Sequence, residues 1–112
     1  MKDFKSISEE AFSLGICRKE YANILQISTS SLYRYLKEPQ KVSAKCKDRS
    51  VVICNLINKG KSTFGDKSKF SHWLFCKNIA LGGPKPIEML CTVEGTKQVD
   101  FCLNRIEWGI FA

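Results

Sequence analysis

Arg18-Lys19-Glu20-Tyr21-Ala22-Asn23-Ile24-Leu25-Gln26-Ile27-Ser28-Thr29-Ser30-Ser31-Leu32-Tyr33-Arg34-Tyr35-Leu36-Lys37 is the stretch that decides the fold class. Tyr21, Ile24 and Leu25 recur at i, i+3 and i+4, the spacing of one helical face. Ser28 is a good N-cap for a second helix from Thr29 to Lys37, because its hydroxyl can take an otherwise unpaired backbone N–H. Pro39 stops that helix from continuing. In a helix, Leu32 and Leu36 point inward together, and Ser30, Tyr33, Arg34 and Lys37 point outward or flank the core. Two short helices with a tight turn near Gln26-Ile27 read as a helix-turn-helix.

Working outward, the helical signals persist. Ser8 to Leu14 reads as a helix stopped by Gly15. Ser43 is placed to cap a longer helix to about Asn58, with Gly60 just past its end. Its segment Val51-Val52-Ile53-Cys54-Asn55-Leu56-Ile57 is apolar almost all round, which suits a central helix packed on more than one side. Downstream, Asp66 would cap Lys67 to Cys76, with Phe70, Trp73 and Leu74 on one face. Asn78 to Lys85 contains Gly82-Gly83-Pro84 and reads as a turn region. Pro86 opens a short helix, Ile87 to Cys91. A last helix runs from Val93 or Gly95 to Trp108, stopped by Gly109. No segment shows strand alternation. The expectation is an all-α chain, with a helix-turn-helix half over residues 1–63 and a three-helix half over 64–112.

The chain has 112 residues with 44% apolar and 26% charged, values that exclude disorder as a whole-chain description. No apolar run approaches the roughly 20 residues of a membrane span. Met1 to Ser6 leads into Glu9 and Glu10, unlike an apolar signal segment. The expected setting is the cytoplasm. The six cysteines, Cys17, Cys46, Cys54, Cys76, Cys91 and Cys102, lie 29, 8, 22, 15 and 11 positions apart. None forms the close pair of a zinc half-site, and His72 is the single histidine. Reduced cysteines and no metal or cofactor are expected.

The net charge of +7 is uneven. Residues 1–65 hold 12 Lys/Arg and 6 Asp/Glu, whereas residues 66–112 hold 6 and 5. That asymmetry suits a polyanion partner for the first half, and equally a solvated surface. With the helix-turn-helix it points to DNA: Thr29, Ser30, Tyr33, Arg34 and Lys37 on the second helix, with Lys45 and Lys47 beyond it. Hydroxyls and cations suit phosphates, and a guanidinium suits base edges. In the second half, Gly95, Val99, Cys102, Leu103, Ile106 and Ile110 share one side of the last helix, the expected core. Phe101 and Trp108 fall opposite, beside Lys97 and Arg105. Either they form a protein interface or another helix of the same chain covers them.

The run Phe64-Gly65-Asp66, then Trp73-Leu74, then Asn78-Ile79-Ala80-Leu81-Gly82-Gly83-Pro84-Lys85-Pro86-Ile87-Glu88-Met89-Leu90, then Gly95, Val99 and Leu103 to Ala112, resembles the toxin-binding domain of the Xre/MbcA/ParS antitoxin family. Ile27 to Arg34 and Asp48-Arg49 resemble, more weakly, that family's Xre-like helix-turn-helix. Pro84-Lys85 departs from the usual pattern of the Gly-Gly-x-x-Pro stretch. The resemblance implies an antitoxin paired with a RES-domain toxin, an enzyme class that consumes or transfers parts of NAD. It implies neutralisation by a C-terminal region placed at the toxin's active-site entrance. It also implies repression of the chain's own operon through operator DNA, and a homodimer. The implied toxin-binding set is Trp73, Gly82, Gly83, Phe101, Arg105, Trp108, Gly109, Ile110, Phe111 and Ala112. The apolar end Trp108 to Ala112 would be exposed to water without a partner, which suits a plug.

Two other function classes compete. One is a transcription regulator without a toxin partner. The other is a thiol enzyme using Cys54 or Cys76, for which His72, four residues before Cys76, is the available base. No oxyanion or cofactor motif accompanies that pair, so the chain is expected not to be an enzyme.

Overall fold

The computed structural model describes residues 3–109. Among them it contains seven α-helices, two short 3₁₀ turns and no strand. The chain forms two compact units that divide between Ile57 and Asn58, inside the fourth helix.

In the first unit, α1 (Phe4–Ser13) starts four residues earlier than the expected Ser8. The reason is a cap that the apolar spacing does not show. Asp3 accepts the Ser6 amide at 2.8 Å, and that bond holds the Asp3 carboxyl below the usual carboxylate range. Phe4 can then pack edge-on against Tyr35 at 6.1 Å. α2 (Arg18–Leu25) opens with a capping box in which Cys17 stands where serine is usual, its sulfur accepting the Glu20 amide at 3.4 Å. α3 (Thr29–Lys37) is capped by Ser28, as the sequence predicts. Gln26 makes the turn between them in the left-handed region, φ 62°.

Ile7, Ala11, Tyr21, Ile24, Leu25 and Leu32 form the core of this unit. The Ser8 hydroxyl donates to the Phe4 carbonyl at 2.8 Å and lies 3.5 Å from the Tyr21 hydroxyl. Burial pushes the Tyr21 phenol up to about 12, so the buried ring stays neutral. On α3 the inward pair is Leu32 and Tyr35, with Leu36 only half-buried. Tyr35, rather than the Leu36 expected to point inward with Leu32, is buried, and its ring packs against Phe4.

A 3₁₀ turn at Pro39–Lys41 leads to α4 (Ala44–Phe64). Ser43 accepts the Cys46 amide at 3.2 Å and caps it. Ile53, Cys54, Leu56 and Ile57 are buried, but Val51 and Val52 are about half exposed, so this helix is not enclosed all round. Its end departs from expectation. The helix does not stop near Asn58; it continues through Gly60 to Phe64, and Gly65 (φ 68°) follows it. Gly60 is not a stop signal but a gap. A Cβ there would run into the ring of Phe70.

In the second unit, that gap seats Phe70, which stacks on Phe64 at 5.9 Å and on Trp73 at 6.2 Å. Phe70 and Trp73 belong to α5 (Lys67–Phe75), capped by Asp66. A 3₁₀ turn, Ile79–Leu81, precedes α6 (Pro86–Met89), which ends before the expected Cys91, and α7 (Val93–Glu107) closes the described chain. Phe70, Leu74, Ile87, Leu90, Val99 and Leu103 are fully or almost fully buried.

The Gly60 contact sets a sign that can be measured. In an open helix, Gly→Ala adds roughly 0.5–1 kcal/mol of stability. Here Gly60→Ala is expected to lower it by about 1–3 kcal/mol through overpacking, as read from urea denaturation.

Candidate functional site

The outer face of α7 is built by what fixes its inner face. Thr92 caps the helix, accepting the Gly95 amide at 2.9 Å. The Thr96 hydroxyl bonds the Thr92 carbonyl at 2.6 Å and lies 3.2 Å from the Leu90 carbonyl. Gly95 lies so close to the Met89 carbonyl that a Cβ would collide with it. Further along, Lys59 of α4 pairs with Asp100 at 2.7 Å. Gly95, Val99, Cys102 and Leu103 are therefore turned in and buried, as their spacing predicts, while Ile106 is half-buried.

The opposite side is open. Phe101 is 63% exposed and Trp108 81% exposed, so no other helix of the chain covers them among the described residues. The Arg105 guanidinium lies 6.0 Å from the Phe101 ring centre, a cation–π arrangement. Glu94, Lys97, Phe101 and Arg105 line an open groove of about 520 Å³. Its second wall is Ala80 and Leu81, from the 3₁₀ turn.

That turn is held by one side chain and four backbone bonds, two of them the turn's own, from the Leu81 amide to the Asn78 carbonyl and from the Gly82 amide to the Ile79 carbonyl. Asn78 Oδ1 accepts the Ala80 amide at 2.9 Å. The Gly83 amide donates to the Asn78 carbonyl at 2.8 Å, and the Asn78 amide to the Pro84 carbonyl at 3.2 Å. Gly82 and Gly83 have φ of 91° and 105°, a region that side chains disfavour. These bonds leave Ile79 outermost, 94% exposed. Ile79, Ala80 and Leu81 enter the sequence reading only through the family resemblance, and neither they nor Glu94 belong to the expected toxin-binding set. The available signal was a capping Asn before a glycine pair, which marks a tight turn that displays its middle residues.

The remaining toxin-binding candidates are placed as follows. Trp73 is half-buried in the ring cluster, 5.6 Å from Phe64. Gly109 follows α7 with φ 78°. Ile110, Phe111 and Ala112 lie outside the described residues.

In the first unit, Thr29, Ser30, Tyr33, Arg34 and Lys37 are all exposed on α3, and Lys45 and Lys47 on α4. The Arg34 guanidinium sits 5.3 Å from the Tyr35 ring centre. Arg49, from the same basic stretch, is turned inward instead. Its Nε donates to the Ile24 carbonyl at 2.9 Å, meeting the unpaired carbonyl end of α2.

All six cysteines are free of disulfides. Burial pushes the Cys46 and Cys102 thiols up, away from ionisation. Cys76 Sγ and His72 Nε2 are 3.4 Å apart on α5. Among the described residues, no group of three or more His, Cys, Asp or Glu could hold a metal ion. No helix of the described residues is long and apolar enough to cross a membrane.

Residues 59–109, which span the groove, its turn and α7, match the family model described as the antitoxin Xre/MbcA/ParS C-terminal toxin-binding domain. No curated protein sequence matches the chain.

If Phe101 and Trp108 serve an interface rather than the core, truncating them costs the free protein little. Phe101→Ala and Trp108→Ala are each expected to change unfolding free energy by no more than about 0.5 kcal/mol. Leu103→Ala, at a fully buried position, should cost about 2–5 kcal/mol when all three variants are compared by thermal unfolding.

Proposed function

We propose that this chain, whose residues 59–109 match the model of the Xre/MbcA/ParS C-terminal toxin-binding domain, neutralises a RES-domain toxin that consumes NAD. It does so by laying the outer face of α7 and the groove beside it over the toxin's active-site entrance. The observation that carries this reading is the uncovered row Phe101, Arg105 and Trp108 on a helix whose opposite side is buried at Gly95, Val99, Cys102 and Leu103. Aromatic and arginine side chains on a rigid support are the usual anchors of protein interfaces. Arg105 can hold a carboxylate with two hydrogen bonds at once. The mode is stoichiometric binding without catalysis, in the cytoplasm, with Trp108 to Ala112 among the residues that meet the toxin.

A second activity is favoured by α3. Ser30, Tyr33, Arg34 and Lys37 stand at i, i+3, i+4 and i+7, all exposed, on a helix braced from behind by Leu32 and Tyr35. That suits a recognition helix in the major groove of operator DNA. In this reading a homodimer reads two half-sites, and the chain represses its own operon. A regulator with no toxin partner would keep this activity and lose the first.

Two measurements test the reading. In cells making the toxin, Arg105→Ala and Trp108→Ala should weaken rescue of growth and of NAD level, each costing about 2 kcal/mol of binding, roughly 30-fold in Kd. Full rescue by the double variant at equal abundance would rule the α7 face out as the inhibitory surface. In gel-shift titrations, Arg34→Ala should relax operator specificity at a cost of about 1–3 kcal/mol. Lys45→Ala and Lys47→Ala should weaken binding uniformly and flatten its salt dependence.

A further inference from the structure

We infer that His72 and Cys76 form a thiol–disulfide exchange site at the end of α5, one that takes a small anionic disulfide of the glutathione class and leaves Cys76 as a mixed disulfide. The inference is independent of the toxin reading. Its basis is a contact between a sulfur and a base on an accessible surface. Cys76 Sγ lies 3.4 Å from His72 Nε2, four residues back along the same helix. His72 is exposed and Cys76 half-exposed, so a disulfide can reach the sulfur. In the tautomer protonated at Nδ1, Nε2 is free to accept a proton.

The surroundings suit an anionic reagent. Lys69 and His72 are three apart on α5, Cys76 is the residue that ends that helix, and Lys77 follows directly. Both lysines are exposed. Cys17, an exposed thiol, also has cations beside it in Arg18 and Lys19, but its sulfur meets a backbone amide rather than a base. Its sulfur accepts the Glu20 amide at 3.4 Å, and the Glu20 carboxylate lies beside it on the Cys17 amide at 3.3 Å. That carboxylate repels an anion and holds the residue in its capping role. Cys46, Cys54 and Cys102 are buried.

The step balances without an outside oxidant beyond the disulfide. The Cys76 thiol proton passes to Nε2, and the sulfur's electron pair forms a bond to one sulfur of the reagent. The reagent's S–S bond breaks, and its other half leaves as a thiolate that regains the proton from the imidazolium. Cys76 is oxidised and half of the reagent is reduced. The sulfur must give up its proton as it attacks, and His72 Nε2 stands where it can take it.

The test uses the full reduced chain with oxidised glutathione at neutral pH, quenched by alkylation and read by peptide mass. Mixed disulfide should appear first on Cys76, about tenfold faster than on Cys17. His72→Gln should slow Cys76 by about tenfold, the lower end expected for loss of an exposed base, and leave Cys17 unchanged. Continued protection of Cys46 and Cys102 reports that the variant is folded; if they react, His72→Asn gives the same comparison. Equal or faster reaction at Cys17 or Cys91, or an unchanged Cys76 rate in the folded variant, overturns the proposal.

Discussion

The second unit depends on the approach of the Phe70 ring to bare backbone at Gly60. Only a residue without a Cβ leaves room there. The contact holds α5 against the last turns of α4 and gathers Phe64 and Trp73 around the same ring. With α5 in place, the chain reaches Asn78, whose side chain and backbone organise the 3₁₀ turn. The turn in turn forms one wall of the groove, and α7 the other. Close packing inside the unit is thus what allows the face outside it to stay open yet rigid. An interface anchor loses less freedom on binding when its support is already ordered.

The helix faces were legible because they depend on spacing alone. The caps Ser28, Ser43 and Asp66 stand where the sequence puts them, and Val99, Cys102 and Leu103 are buried. Phe101 and Trp108 were read as opposite the core, with their cover left open; the fold leaves both exposed. What was not legible depends on contacts between distant residues. Gly60 looks the same in sequence whether it ends a helix or admits a ring ten residues away. Tyr35 displaces Leu36 from the core because Phe4 offers an aromatic edge, and Phe4 is in a helix only through its Asp3 cap. Arg49 counts as one more surface cation in a charge tally, yet it is spent on the Ile24 carbonyl.

The candidate site follows the same division. Arg105 and Trp108 were found from the helical period. The wall made by Ala80 and Leu81 was not, since a 3₁₀ turn has no apolar period to detect, and Ile79 is displayed by hydrogen bonds that ordinary composition does not advertise. Trp73 was placed with the binding residues, and the fold seats half of it in the ring cluster behind Phe64. Charge does not separate the two units: residues 1–57 hold 10 Lys/Arg against 6 Asp/Glu and residues 58–112 hold 8 against 5, because Lys59 and Lys61 at the end of α4 belong to the second unit.

The central claim is that the outer face of α7 is what the toxin meets, and site-specific cross-linking tests it most directly. A photoreactive residue in place of Phe101, in the full chain co-expressed with the toxin, should form a cross-linked pair. The same residue in place of Ser68, exposed on α5, should form little. Strong cross-linking from position 68 with none from position 101, in variants that both still rescue growth, would contradict the account.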